Sequence, residues 1–292
     1  MKDFSYWQVY EGAAEGSGRS EKIWLINPDT GMIGLFKFKK DFSTTDHISE
    51  CIAYHLAMTL DLPCAAFELG IYHGREGSMS YNIVTTADQV LIEGINYINI
   101  FYPCYDAEKF IDPTTGDIYS VEMIQKVTRD IFDFSDFLNM LIFDFLIGNS
   151  DRHQSNWAVL YENGRTYFSP LYDNGSSLCA FISDERVASY LGKDKMRWHS
   201  LIDTKSKSLI RRTVDDNIRP THLEMLQYIH DIYFYETNAF CNKIIQNLTD
   251  LKIRSVIDEG SEGLLSDHKR ELIFKFIREK ISLLKKIYCE KE

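Results

Sequence analysis

The stretch Gly148-Asn149-Ser150-Asp151-Arg152-His153-Gln154-Ser155-Asn156-Trp157, followed by Tyr172-Asp173-Asn174-Gly175, decides how the rest of the chain is read. A loop aspartate, an asparagine five positions on and a second aspartate ahead of Asn-Gly form the layout of a magnesium-dependent phosphotransfer site. Before it, residues Phe134 to Ile147 are apolar nearly all round, which predicts a helix buried in a core with Gly148 as its stop. After it, Trp157-Ala158-Val159-Leu160-Tyr161 and Thr166-Tyr167-Phe168 flank Asn163-Gly164, a strong hairpin signal. With Glu162 opposite Arg165, antiparallel counting carries Asn156 to Leu171 and Gln154 to Asp173. Asn156 and Asp173 then emerge at one end of the hairpin, beside the loop that bears Asp151.

Oxygen ligands of this kind suit a hard cation such as Mg²⁺, which prefers one or two carboxylates plus substrate phosphates. Asp151 is then free to orient an attacking hydroxyl and accept its proton. Asp, Asn and Ser are also ordinary loop residues; the weight lies in their combination with the buried helix, the hairpin and Asp-Asn-Gly. A rival chemistry makes Asp151, His153 and Asp173 ligands of a transition metal in a hydrolase. None of the other seven histidines falls in a metal-site motif, and neither H-E-x-x-H nor C-x-x-C occurs. His153 is read instead as a brace of the catalytic loop or a contact to the transferred phosphate.

The 292 residues allow one large domain or two lobes, and 45% hydrophobic content with 13% aromatics is ample for a core. The balance of 32 Lys and Arg against 43 Asp and Glu gives a net charge of −11. That argues against general nucleic-acid binding, which needs a basic surface, but permits a nucleotide site with local cations. Six dispersed cysteines fit a reducing compartment. Without an apolar leader or an 18-residue apolar run, the expectation is a soluble cytoplasmic protein with no integral membrane association.

The first third reads as strands around one helix. Glu11 to Ser20 is rich in glycine and serine, and Gly16, Ser17 and Gly18 could bring backbone N–H groups to a phosphate, although such loops are common without any ligand. Lys22 to Ile26 turns at Asn27-Pro28-Asp29-Thr30-Gly31 into Gly34 to Lys39. Alternation puts Phe36 and Phe38 toward a core and Leu35, Lys37 and Lys39 on the other face. There Leu35 could touch an adenine and Lys37 the α- and β-phosphates, or the lysines could be merely solvated. Thr44-Thr45-Asp46 starts a helix that runs to about Leu60, before Asp61-Leu62-Pro63. Ile48, Cys51, Ile52, Leu56 and Thr59 make its apolar stripe, and His55 on that stripe is read as a hydrogen-bonded core residue. Glu50 lies off it, among Ala53, Tyr54 and Ala57, either pairing with Lys37 or solvated. Ser78 to Val84 reads as another strand and as the candidate linker between lobes, where adenine would meet main-chain groups.

Beyond residue 87 the pattern becomes chiefly helical, with segments near 208–217, 221–249 and 263–288 besides the hairpin. The expected division is a lobe at 1–87 and a second at 88–292. Residues 266–292 carry eight Lys or Arg against five Asp or Glu, the pattern of a helix with a solvated basic face.

Taken in order, the glycine-rich loop, Lys37, Glu50, Asp151-x4-Asn156 and Asp173 resemble the HipA-like kinase family, itself similar to phosphoinositide kinases. The sharpest matches are Asn149-x-Asp151-Arg152-His153-x-x-Asn156 and Pro170-Leu171-Tyr172-Asp173, and Asn149 favours the HipA-like branch, since phosphoinositide kinases usually carry glycine there. The resemblance spans roughly residues 10 to 285. It implies an α+β, bilobal, protein-kinase-like fold with a small β-rich N-lobe holding one helix and a larger, mainly helical C-lobe. It implies ATP and Mg²⁺ as cofactors, Asp151 as base, Asn156 and Asp173 as metal ligands, Lys37 on the phosphates and a protein Ser or Thr as acceptor. It further implies a toxin-type kinase with an antitoxin-type regulator, autophosphorylation at Ser17 or Ser20, and a form lacking the extra N-terminal subdomain of the longest members. Two alternatives stay open: a phosphoinositide or small-molecule kinase of the same fold, and a nucleotide- or partner-binding module with little turnover.

Overall fold

A computed structural model describes residues 1–12, 21–40 and 43–289. Six strands, β1 (Lys2–Asp3), β2 (Gln8–Val9), β3 (Lys22–Ile26), β4 (Ile33–Phe38), β5 (Phe67–Tyr72) and β6 (Arg75–Tyr81), form one sheet in the order β1-β5-β6-β4-β3-β2. Strand β1 runs parallel to β5, and the other neighbours are antiparallel. The side-chain period of two works as expected on β4. Phe36 and Phe38 enter a small core with Phe4, Trp7, Leu25, Tyr72 and Met79, each fully buried ring contributing about 1.5–3 kcal/mol, while Leu35 and Lys37 sit half-buried on the opposite face.

Helix α1 (Asp46–Thr59) follows. Its stripe Ile48, Cys51, Ile52 and Leu56 is buried, and so are Ala53 and Ala57 on the flank, because α8 (Asp250–Ser261) packs closely across the helix. His55 departs from expectation: its ring is half-exposed and lies 3.7 Å from Glu259 of α8, an edge contact rather than a core position.

A second sheet, β7-β8-β9, comprises β7 (Val90–Glu93), β8 (Ala158–Glu162) and β9 (Arg165–Phe168). The hairpin register has Glu162 opposite Arg165 and runs to Val159 opposite Phe168. It ends there, with Ser169 N donating to Ala158 O at 3.0 Å. The expected opposition of Asn156 with Leu171 does not form. Pro170 has no N–H to continue the ladder, and Leu171 leaves to pair with residues 63–65, donating to Pro63 O and accepting from Ala65 N at 2.8 Å each. Strand β7 is a further correction to the helical reading after residue 87; Val90-Leu91-Ile92 is a short apolar run that pairs with β8.

The remainder packs around α4 (Phe134–Ile147), whose residues Phe137, Leu138, Met140, Ile142, Phe143, Leu146 and Ile147 are all buried. Asp133 caps it by accepting from Ser135 N, and Gly148 closes it at φ 69°, a left-handed turn that glycine adopts without strain. Around it lie α2 (Gly94–Phe101), α3 (Val121–Val127), α5 (Asp184–Leu191), α6 (Lys195–His199) with a π-helical turn at Ser200–Thr204, α7 (His222–Asn247), α8 and α9 (Asp267–Tyr288). Helix α7 fills the expected 221–249 segment to within two residues at its end, and Thr249 caps α8 as a separate helix directly after it. The expected helix near 208–217 is absent. Arg211 N donates to Tyr119 O and Arg211 O accepts from Val121 N, so those backbone groups bond across to another strand of chain instead. Two lysines of the basic tail turn inward on α9: Lys269 donates to Cys179 O and Ile182 O, and Lys280 to Ile202 O and Ser206 Oγ. Among the described residues no helix is long and apolar enough to cross a membrane.

Candidate active site

Lys37 projects from β4 into a cleft of about 390 Å³ that is also lined by Glu50, Asp151, His153 and Asp173. Its Nζ lies 3.2 Å from Glu50 Oε1 and 2.9 Å from Asp173 Oδ1. Glu50 is 3% exposed at its side chain, and its second oxygen accepts the Asn174 N–H at 2.7 Å. One buried carboxylate thus ties the lysine strand to the Asp173-Asn174 turn. Burial alone would pull the Lys37 ammonium down, but Asp173 and Glu50 outweigh it and hold it above the ordinary lysine range. Burial likewise pushes Asp173 up, and Lys37 more than reverses this, leaving it at about 2. The same burial raises Glu50, with Asp173 adding to the rise and Lys37 opposing it. Asp173 itself sits at φ 55°, an uncommon backbone state for a residue other than glycine.

The catalytic-loop candidates are held by a side chain that motif reasoning passed over. Arg152, 1% exposed, grips Asp144 of α4 through two bonds of 2.9 and 2.7 Å. It also donates to Asn156 O at 2.7 Å, Tyr172 O at 2.9 Å and Asn174 Oδ1 at 2.7 Å. The two arms that the hairpin ladder fails to join are therefore joined by one guanidinium, whose planar fork suits several acceptors at once. Asn149 completes the anchor. Its amide donates to Asp144 Oδ1 and accepts from Asp151 N, at 3.1 and 3.2 Å. Its carbonyl accepts from His222 Nε2 at 2.8 Å. A carbonyl can only accept, so Nε2 carries the proton and Nδ1 accepts from Ser206 Oγ at 2.9 Å, while Lys280 donates to the same Ser206 oxygen. Burial, reinforced by the Lys280 charge, depresses His222 to about 3 and keeps it neutral.

Asp151 is left exposed at the cleft. Partial burial by the cleft walls raises its carboxyl, with Asp173 adding to the rise and His153 opposing it. His153 Nδ1 accepts from Ser155 N at 3.2 Å, a brace within the loop. Asn156 donates its amide nitrogen to Asp151 O at 2.8 Å, and its amide oxygen is the atom that would serve as a ligand; the residue is 4% exposed and is not among those lining the cleft. Leu35 lies on the same strand face as Lys37 but is not among the residues lining the cleft, and Lys39 pairs with Glu76 at 3.2 Å outside it. Gly16, Ser17, Gly18 and Ser20 lie outside the described residues. Two cleft lysines escaped the sequence reading, Lys22 and Lys40. The first was discoverable: pairing Ile26 with Ile33 across the turn sets Lys22 directly opposite Lys37 on one face. Among the described residues no group of three or more His, Cys, Asp or Glu is arranged to hold a metal ion, so a divalent cation here would rest on Asp173, the Asn156 amide oxygen and a substrate's own oxygens.

The family model described as the HipA-like C-terminal domain matches residues 15–228. The chain belongs to this family. Relatives of this HipA-like chain include the serine/threonine-protein kinase CtkA of Helicobacter pylori, 26% identical over 184 residues, which are 60% of this chain and 55% of that protein. The putative kinase Y4dM of Sinorhizobium fredii is 27% identical over 122 residues, 41% of this chain and 28% of that protein. The matched segments thus span between about a quarter and a little over half of these curated relatives. In fold, the chain is similar to the crystal structure of the Helicobacter pylori proinflammatory kinase CtkA, with a TM-score of 0.81 at 19% identity over 99% of each chain. It is more distantly similar to HipA of Shewanella oneidensis MR-1, solved with HipB and operator DNA, with a TM-score of 0.51 at 15% identity over 96% of this chain and 66% of that one. The expected α+β, HipA-like kinase fold is borne out.

Proposed function

We propose that this HipA-like chain is an ATP- and Mg²⁺-dependent kinase that transfers the γ-phosphate to a serine or threonine hydroxyl of a protein. The observation that carries the reading is Lys37 held between Glu50 and Asp173 in the cleft where Asp151 stands open. Phosphoryl transfer asks a protein mainly for positioning and for charge placed where charge develops. Lys37, with Lys22 and Lys40 beside it, supplies cations for a polyphosphate, and Glu50 keeps the Lys37 ammonium from wandering. Asp151 accepts the hydrogen bond of the acceptor hydroxyl and takes its proton as the oxygen attacks; its raised carboxyl is a better base than an ordinary aspartate. Asp173, kept ionised, would hold Mg²⁺ together with the Asn156 amide oxygen, hard oxygen donors of the kind that ion prefers. When bound, Mg²⁺ neutralises charge on the phosphate oxygens.

Kinship extends the proposal to a cytoplasmic kinase with its lobes dividing near residue 87, an antitoxin-type protein regulator and self-labelling at Ser17 or Ser20. The test is incubation with γ-labelled ATP and Mg²⁺, beside Asp151→Asn and Asp173→Ala. Transfer to protein that is lost in both variants supports the reading. Transfer only to added phosphoinositide vesicles replaces it with lipid chemistry, and ATP binding without transfer ends it.

A further inference from the structure

Residues 205–219 carry five cations, Lys205, Lys207, Arg211, Arg212 and Arg219, against two carboxylates, Asp215 and Asp216, in a chain whose net charge is −11. Asp216 is taken by Arg212 at 2.7 Å, and the Asp215 carboxylate accepts from Thr213. Among the described residues Arg211 and Arg219 make no salt bridge. Arg219 donates only to carbonyls: Ser208 O at 3.1 Å, Lys207 O at 3.4 Å, and Ser150 O at 3.2 Å, the residue immediately before Asp151. Arg211 donates NH1 to Leu209 O, and its Nε is buried without a partner. The Tyr105 hydroxyl, close enough to interact electrostatically with Arg211, is also buried and unpartnered. Burial and the Arg211 charge both act to lower Arg219, and Asp151 opposes them.

Among the described residues neither arginine is in direct contact with a carboxylate, since Asp216 acts on Arg211 and Asp151 on Arg219 only through space; two like charges so placed leave donors that an incoming anion can engage. Their position says which substrate brings the anion. The nucleotide-side cations Lys22, Lys37 and Lys40 lie on or just beyond the first sheet, whereas Arg219 is bonded to the loop of the proposed base. Resting on the phosphotransfer reading above, we infer that Arg211 and Arg219 form an acceptor-side site for carboxylate side chains flanking the phosphorylated serine or threonine of an acidic protein segment. Ile218, 71% exposed beside Arg219, offers that segment an apolar contact. A polynucleotide fits less well, because a strongly acidic body repels an extended polyanion while a local basic patch still accepts one or two carboxylates.

The test uses the full chain, Mg²⁺ and γ-labelled ATP with three degenerate serine-peptide libraries, flanked by Asp/Glu, Asn/Gln or Lys/Arg. The acidic library is expected to exceed the neutral one by roughly tenfold in kcat/KM per engaged arginine, the size of one charge-assisted contact. The preference should shrink as salt is raised. Arg211→Glu with Arg219→Glu should turn it toward the basic library, which a misfolded variant cannot do, and the two Arg→Lys changes should retain part of it. Indifference of the native chain to flanking charge, an unchanged acidic preference in the reversed variant, or displacement of acidic peptide by an RNA oligonucleotide at lower concentration overturns the site. If no library is labelled, the phosphotransfer reading fails separately. Fluorescence anisotropy of the acidic library then decides the docking site, which survives only if binding depends on charge and on the two arginines.

Discussion

Replacing Arg152 with methionine tests whether the catalytic loop is held by one buried side chain. Methionine keeps most of the stem and the apolar packing but removes every donor. The Asp144 carboxylate would then remain in the core without the cation that faces it at 2.7 Å, and breaking a buried pair from one side costs about 3–5 kcal/mol. The Asn156 and Tyr172 carbonyls and the Asn174 amide oxygen lose a partner too, at about 1–3 kcal/mol for each acceptor that stays dry. These losses overlap, so the expected total is about 5 kcal/mol, or roughly 10 °C or more in Tm for a chain of this size. Urea and thermal unfolding measure it, with Arg165→Met in the exposed hairpin turn as a control expected within about 0.5 kcal/mol of the native protein. Asp144→Asn combined with Arg152→Met should be less harmful than the sum of the two by about 2 kcal/mol, because the stranded charge is gone. A loss below about 1 kcal/mol for Arg152→Met, or a coupling near zero, would refute the anchoring role.

Glu50→Gln preserves the shape that receives the Asn174 N–H but removes the charge facing Lys37; label transfer should fall roughly a hundredfold, the scale of a small misplacement, with little change in unfolding free energy, and steady-state kinetics beside denaturation separates the two. His222 lies at about 3 in the folded chain against an ordinary 6.5, so between those values the unfolded chain holds a proton that the folded one lacks. Acid therefore favours unfolding in that window by up to about 1.4 kcal/mol per pH unit from this group, and urea titrations from pH 7 to 4 should show a shallower decline in His222→Gln. Gly260→Ala should destabilise by about 1–3 kcal/mol despite alanine's better helix propensity, because its β-carbon would come within 2.7 Å of Ile52 Cα. By pushing α1 it should also weaken the Glu50 contact to Lys37, so transfer and stability should fall together.

Local pattern made much of this molecule legible. The apolar Phe134–Ile147 helix, its Gly148 stop, the Asn163-Gly164 hairpin and the alternation on β4 each rest on a short-range rule, and each appears where the sequence puts it. Lys37, Glu50, Asp151, His153 and Asp173 also meet in one cleft, although 136 positions separate Lys37 from Asp173. What escaped was set by tertiary partners. Arg152 looks like an ordinary loop cation until Asp144 is seen beneath it, and nothing around His222 announces that its ring supports Asn149. Residues 208–217 have the spacing of a helix, but residues 119–121 claim Arg211's backbone groups first. Lys269 and Lys280 read as a solvated face because their burial depends on carbonyls from residues 179–202. The hairpin count ended at Pro170, a local signal that was available and outweighed by the symmetry of the count.

The strut from Lys280 through Ser206 and His222 to Asn149 also sets a clock on the birth of the molecule. A ribosome makes every residue that lines the cleft more than a hundred positions before it makes Lys280, an interval on the order of ten seconds at ordinary elongation rates. Through that interval the growing chain owns its chemistry but not the support of its catalytic loop, so competence arrives only once Lys280 has been made. A chain stalled on the ribosome after residue 262 should accordingly transfer no label, while the released full chain does.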